Sequence, residues 1–146
     1  MKADAKTEAE VMSVLETWAT AYAKRDVNAV MSLFATDSDM VFIGTGADER
    51  RLGPAEVKLQ VERDFDQSES MTVDWKWRSI SVYGDIAAMA TECVVNAVVG
   101  GQQLTFPLRI TGVLQKRNGR WLWVQWHSSA PDSSQETGSA FPAVTR

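Results

Sequence analysis

Apolar side chains recur at Val11, Leu15, Trp18 and Tyr22, a spacing of i, i+4, i+7 and i+11. This is the stripe of an amphipathic helix, widened by Val14 and Ala19. Thr7 with Glu10 three residues on predicts a capping box at its start. Asp26 is placed to cap a second, short helix whose inward side chains would be Val30, Leu33 and Phe34. A short strand is expected from Met40 to Gly44, folded into a hairpin by Gly44-Thr45-Gly46 and Asp48. Gly53-Pro54 opens a third helix, proline being tolerated in the first turn, and the helix should run to about Phe65.

From Met71 the period changes to two. Val73, Trp75 and Trp77 alternate onto one face. Beyond Ser79 the apolar set moves by one, to Ile80 and Val82, which predicts a bulge or a change of covered face there. Gly84-Asp85 turns into the run Ile86 to Val99, apolar at nearly every position and so expected to be buried on both faces. Gly100-Gly101 leads into Leu104 to Lys116, and Asn118-Gly119, a strong short-range hairpin signal, leads into Arg120 to Ala130. Strict alternation in that last strand puts Trp121, Trp123, Gln125 and His127 on one face, with Leu122, Val124, Trp126 and Ser128 on the other. Three helices followed by four long antiparallel strands predict an α+β layer arrangement. It forms one domain over residues 1–131, followed by a loosely held tail, rich in Ser, Gly and Pro, over 132–146.

Composition narrows the classes. A chain of 146 residues can bury one sizeable core. A net charge of −4 without a basic stripe argues against a nucleic-acid partner. The single cysteine, Cys93, excludes an intramolecular disulfide and reads as an inert buried thiol. No apolar run approaches the roughly 18 residues of a membrane span, so no membrane partner is expected. The first residues do not resemble a signal peptide, so a cytoplasmic location is expected. With one histidine, one cysteine, no clustered carboxylates and no glycine-rich phosphate loop, neither a metal nor a cofactor is expected.

Three polar residues interrupt apolar strand positions: Glu92, Arg109 and His127. If the strand registers bring them together beneath aromatic surface, they form a candidate catalytic set. Arg109 would clamp a small carboxylate or polarise a ketone. His127 would act as acid or base, and Glu92 would orient. Trp18, Tyr22 and Trp77, with Arg109 and His127, would then wall the ligand site. The structural alternatives are a Glu92–Arg109 ion pair held because neither charge can be buried alone, a satisfied core histidine, and Trp18 and Tyr22 as plain core. Asp48-Glu49-Arg50-Arg51 reads, from the residues alone, as a solvated rim.

The segment Arg109-Ile110-Thr111, with Gly119 and Trp121 through His127-Ser128-Ser129, resembles the final hairpin of the NTF2-like superfamily. It is similar above all to the SnoaL-like group and to the association (hub) domain of calcium/calmodulin-dependent protein kinase II. Trp18 to Asp37 resembles the family's opening helices, and Ile43 to Gly53 its first hairpin. The likeness spans about residues 8–131. It implies a strongly curved antiparallel sheet wrapped as a cone around three N-terminal helices. Under the resemblance, Asp48-Glu49-Arg50-Arg51 with Gly44 and Gly46 is open to a second reading, a lid contact over the cavity mouth. The expected role is binding of a small, partly apolar organic ligand in that cone. A homodimer is expected because an exposed sheet face with this many tryptophans needs covering. Any accompanying chemistry would be that of a cofactor-independent isomerase, cyclase, dehydratase or hydrolase. The alternative is a non-catalytic association module. Two activities of relatives do not carry over. The general-base aspartate of ketosteroid isomerase would fall near Val41-Phe42, both apolar, and the Arg-x-Asp strand of limonene epoxide hydrolase corresponds to Arg109-Ile110-Thr111, which has no aspartate.

Overall fold

Asp4 opens the first helix, its carboxylate accepting from the Thr7 backbone N–H at 2.8 Å. Helix α1 therefore spans Ala5–Ala23 and starts a turn earlier than the Thr7 capping box predicted. Its stripe of Val11, Leu15, Trp18 and Tyr22 is buried as expected. Asp26 caps α2 (Val27–Met31) through Ala29 N–H at 3.0 Å, and Val30, Leu33 and Phe34 point into the core. Strands β1 (Val41–Ile43) and β2 (Arg50–Leu52) form the short hairpin, and α3 (Gly53–Asp66) follows with proline in its first turn. Gly53 adopts φ +74°, the left-handed value that lets the chain leave β2 and enter α3 at once. The computed structural model describes residues 1–144.

Four long strands complete the fold: β3 (Ser70–Tyr83), β4 (Ile86–Val99), β5 (Gln102–Arg117) and β6 (Arg120–Ser129). Together the strands make one curved, unclosed six-stranded sheet in the order β2-β1-β6-β5-β4-β3. All neighbours are antiparallel except β1 and β6. Asn118 and Gly119, at φ 50° and 79°, make the turn that joins β5 to β6. The helices cover only the inner face of the sheet, giving the expected α+β cone. Residues 130–144 form no helix or strand and lie exposed.

Two bulges revise the expected faces. Opposite Val113/Leu114 the register of β6 slips at Val124. Parity reverses there, so Trp121, Trp123, Trp126 and Ser128 all face inward, while Gln125 and His127 face outward. The second slip lies between Trp75 and Trp77, not beyond Ser79, and turns Trp77 outward at 52% exposed. Nor is β4 buried on both faces. Ala87, Met89, Thr91, Cys93 and Val95 are buried inward, whereas Ala88, Glu92 and Asn96 are exposed on the outer face. Loss of water at Cys93 pushes its thiol up to about 11, which leaves it protonated and inert as expected.

The outer edge strand, β3, is covered in part by the start of the chain. Ala3 N–H donates to the Ile80 carbonyl at 3.0 Å, and Val82 N–H to the Met1 carbonyl at 2.8 Å. Further along the same edge, the bulge and the exposed Asp74–Lys76 ion pair break up an otherwise continuous docking rail.

Candidate functional site

A cavity of about 240 Å³ lies between α1, α3 and the inner face of the sheet. Trp18, Tyr22, Phe42, Phe106 and Trp126 supply aromatic walls, and Val99 and Leu104, both partly exposed, stand at its open side. Benzene fits a cavity of about 150 Å³, so this one suits a ligand on the order of ten non-hydrogen atoms.

One wall is polar, and α3 builds it. Asp64 accepts from the Tyr22 hydroxyl at 2.8 Å on one oxygen and from the Gln60 amide at 2.8 Å on the other. The same amide donates to Glu49 at 3.0 Å, while the Gln60 carbonyl accepts from Arg51 Nε at 3.1 Å. These partners fix which end of the buried Gln60 amide is which. Arg63 holds Glu49 at 2.9 Å and Asp48 at 2.7 Å. Gly44 has no side chain where the Glu49 carboxylate folds back to accept from Gly46 N–H at 2.7 Å. Arg25, in a left-handed conformation at φ 56°, donates to the Ser68 and Phe65 carbonyls and lies 5.3 Å over the Phe65 ring. It ties the end of α1 to the end of α3, which keeps Tyr22 against Asp64.

Burial raises the Asp64 carboxyl above its ordinary value, against the opposing pull of the Tyr22 and Gln60 hydrogen bonds. Burial, then the neighbouring Asp64 charge, lifts the Tyr22 phenol well above 10, so it stays a donor at neutral pH. Asp48 is held below the carboxylate range by its bond to Arg63. A testable sign follows for Asp64. The folded protein binds this proton more tightly than the unfolded chain does. The stability this confers is complete below about pH 3.8 and is lost as pH rises through the raised value. Thermal midpoints of Asp64→Asn measured against the parent at pH 3, 5 and 7 should therefore move in favour of the variant as pH rises. A difference that stays flat or runs the other way contradicts the assignment.

The expected catalytic set does not meet this cavity. Glu92, Arg109 and His127 are all exposed on the outer face of the sheet. Glu92 and Arg109 are direct cross-strand partners, and His127 faces Thr111. Neither the inward convergence nor the ion pair is present: Glu92 and Arg109 make no pair within 4.0 Å among the described residues. Trp77 also stands outside, at the β3 edge, and only Trp18 and Tyr22 of the expected ligand wall line the cavity. Gln60 and Asp64 are not among the site residues expected from the sequence, and Glu49 enters there only as part of the Asp48–Arg51 cluster. The signal was there, because Val57, Gln60, Val61, Asp64 and Phe65 follow the apolar stripe of α3, so two polar residues occupy core-facing positions. Among the described residues no group of three His, Cys, Asp or Glu is set to hold a metal ion, and no helix is long and apolar enough to cross a membrane.

Comparison with known proteins agrees with this architecture. A family model for the SnoaL-like domain matches residues 11–133. No curated protein matches the chain. Among solved structures, one similar chain is from Xanthomonas campestris and is provisionally named a calcium/calmodulin-dependent protein kinase II association domain. It is 25% identical, with 90% of this chain and 95% of that one covered and a TM-score of 0.77. An NTF2-like superfamily protein of Salmonella enterica serovar Typhimurium is 20% identical over 95% of this chain and 100% of that one, with a TM-score of 0.81. A provisionally named dehydratase of the NTF2-like family from Streptomyces avermitilis is 16% identical over 86% and 97%, with a TM-score of 0.75. The last two likenesses concern the fold alone.

Proposed function

Because the chain belongs to the SnoaL-like domain family, we propose that it binds a small, partly apolar organic molecule in the cavity between α1, α3 and the inner sheet face. The observation that carries this reading is the polar wall at one side of an aromatic cavity, where a half-buried carboxylate is held by Tyr22 and Gln60. Apolar walls supply affinity, and a few fixed polar groups set orientation. Asp64 is the group that would exchange a proton with the ligand, since it lines the cavity and its two neutral donors leave acceptor capacity on the carboxylate. Tyr22 and Gln60 position it. The acid–base role that the sequence suggested for Glu92, Arg109 and His127 thus passes to Asp64 and its partners.

Thermal unfolding against a panel of ketones, phenols, alcohols and amines of one or two rings tests the reading. At a hundred times its dissociation constant a ligand adds about 2.7 kcal/mol. In a domain of this size that raises the midpoint by about 5–10 °C. Ala97→Phe, which fills the cavity from β4 and leaves Glu49, Gln60 and Asp64 themselves unaltered, should abolish the shift. Shifts that persist in Ala97→Phe, or none across the panel, would overturn it.

A second reading, an association module, is favoured by the likeness to the Xanthomonas chain and by the outer sheet face, where Trp77 and Ala88 stand exposed beside the half-buried Ala90, Val94 and Val113. Burying such a face against a second copy gives the proposed homodimer. Sedimentation equilibrium decides it: a dimer is expected, a ring larger than a dimer would promote the module, and a concentration-independent monomer would end it.

A further inference from the structure

We propose that the cavity selects a protonated amine carried on an aromatic or similarly apolar frame. The inference rests on the reading of the cavity as a ligand site and adds the charge of the ligand. Among the described residues only two charged side chains line the cavity, Glu49 and Asp64, and both are acidic. The arginines of the network, Arg51 and Arg63, bind Gln60, Glu49 and Asp48 from behind and do not line it.

The two carboxylates differ in what neutralises them. Glu49 is paired with Arg63 at 2.9 Å. Asp64 has no cation within 4.0 Å among the described residues. It takes one neutral donor on each oxygen, from Tyr22 and Gln60, which leaves acceptor capacity unused on both. A carboxylate drawn partly out of water, with neutral donors in contact and Arg63 acting only from beyond 4.0 Å, is incompletely compensated, and the nearby Glu49 adds to its charge. An ammonium group would supply the missing opposite charge. The rings of Trp18, Tyr22 and Trp126 beside it offer electron-rich faces, which attract a cation more than a neutral head group. A carboxylate ligand would meet two like charges instead. That reverses the expectation drawn from Arg109, which lies on the far side of the sheet.

Three probes of nearly equal size and shape separate the cases: 2-phenylethylamine, 2-phenylethanol and phenylacetate, each titrated calorimetrically at pH 7. The amine should bind at least tenfold more tightly than the alcohol, and phenylacetate should not bind. Asp64→Asn, which keeps an acceptor for the Tyr22 hydroxyl, should bring the amine down to the level of the alcohol. The ranking on the parent protein is decisive even if that variant fails to fold. An alcohol that binds as tightly as the amine, binding of phenylacetate, or an amine preference that survives Asp64→Asn overturns the inference and leaves the cavity reading standing. If the amine fails while a neutral compound of the unfolding panel binds, the inference again falls alone. If nothing in either set binds, both fall together.

Discussion

Trp126→Ala is expected to cost about 3–5 kcal/mol of folding stability, a fifth or more of the roughly 5–15 kcal/mol a domain ordinarily has. Trp126 is 1% exposed and touches four aromatic neighbours: Trp123 and Trp18 at ring distances of 4.8 and 5.0 Å, and Phe34 and Phe42 at 5.9 Å. Its indole N–H has no nitrogen or oxygen partner, so removing it strands no hydrogen bond. The whole cost is therefore lost apolar transfer plus the void left behind. Urea unfolding should show the midpoint falling with an unchanged slope. Trp126→Phe should recover most of the loss because it keeps a ring against Phe42. Trp126 also lines the cavity, so the void opens into it, and Trp126→Ala should accept larger members of the probe panel than the parent does. A loss below about 1 kcal/mol, within the range of ordinary substitutions, would mean that the cluster collapses to fill the space.

Gly112→Ala should be at least as damaging, although it adds one carbon. Gly112 lies opposite Trp126 in β5, next to the bulge that lets β6 cross it closely. A Cβ there would overlap the Gln125 carbonyl oxygen and stand 2.8 Å from Cζ3 of Trp123, itself fully buried. A backbone oxygen in the middle of a sheet cannot swing away as a side chain can, so the two strands must part. Overpacking a core costs typically about 1–3 kcal/mol, and losing ladder pairing as well should take this variant beyond that range. Gly84→Ala is the internal control. Gly84 sits at φ +65° with nothing within 4 Å of the position a Cβ would take. That variant meets only the conformational penalty of the left-handed region, about 1–2 kcal/mol. Urea midpoints for the pair should separate clearly, and equal losses would refute the argument from close approach.

The elements were legible in the sequence because each carried its own local signal. The stripe of α1, the Asp26 cap, Gly53-Pro54 and Asn118-Gly119 all work through near neighbours, and all stand where expected. The faces were less legible. A bulge reverses every side chain beyond it, and it goes with a feature of the neighbouring strand: Gly112 in β5 has no side chain where β6 comes close beside the slip at Val124. One unread residue was enough to send His127 outward and Trp126 inward. Glu92 and its cross-strand partner Arg109 are misplaced for a related reason. A run apolar at nearly every position reads as buried on both faces, whereas only the face of Ala87, Met89, Cys93 and Val95 is covered and Ala88 and Glu92 stand exposed on the other. The site was hidden differently. Gln60 and Asp64 are ordinary residues for a helix surface, and only their place within the Val57–Phe65 stripe marks them as inward. Glu49 reads as part of a solvated rim until the hairpin folds it against α3.

The order of strands carries a kinetic consequence. β6 is the last strand along the chain, yet it lies between β1 and β5, pairing Phe42 with Trp126 across some eighty residues. Trp123 likewise exchanges backbone hydrogen bonds with Leu33 and Ala35, at 2.9 and 2.8 Å. During synthesis α1, α2 and the first hairpin must wait, with their apolar sides uncovered, until the final hairpin emerges to receive them. Loop closure on that scale makes the domain a slower folder than a helical bundle of similar size. A ribosome stalled before Arg120 would hold a chain whose most aromatic strand is missing from the middle of its sheet, a substrate for chaperones rather than a nearly finished protein.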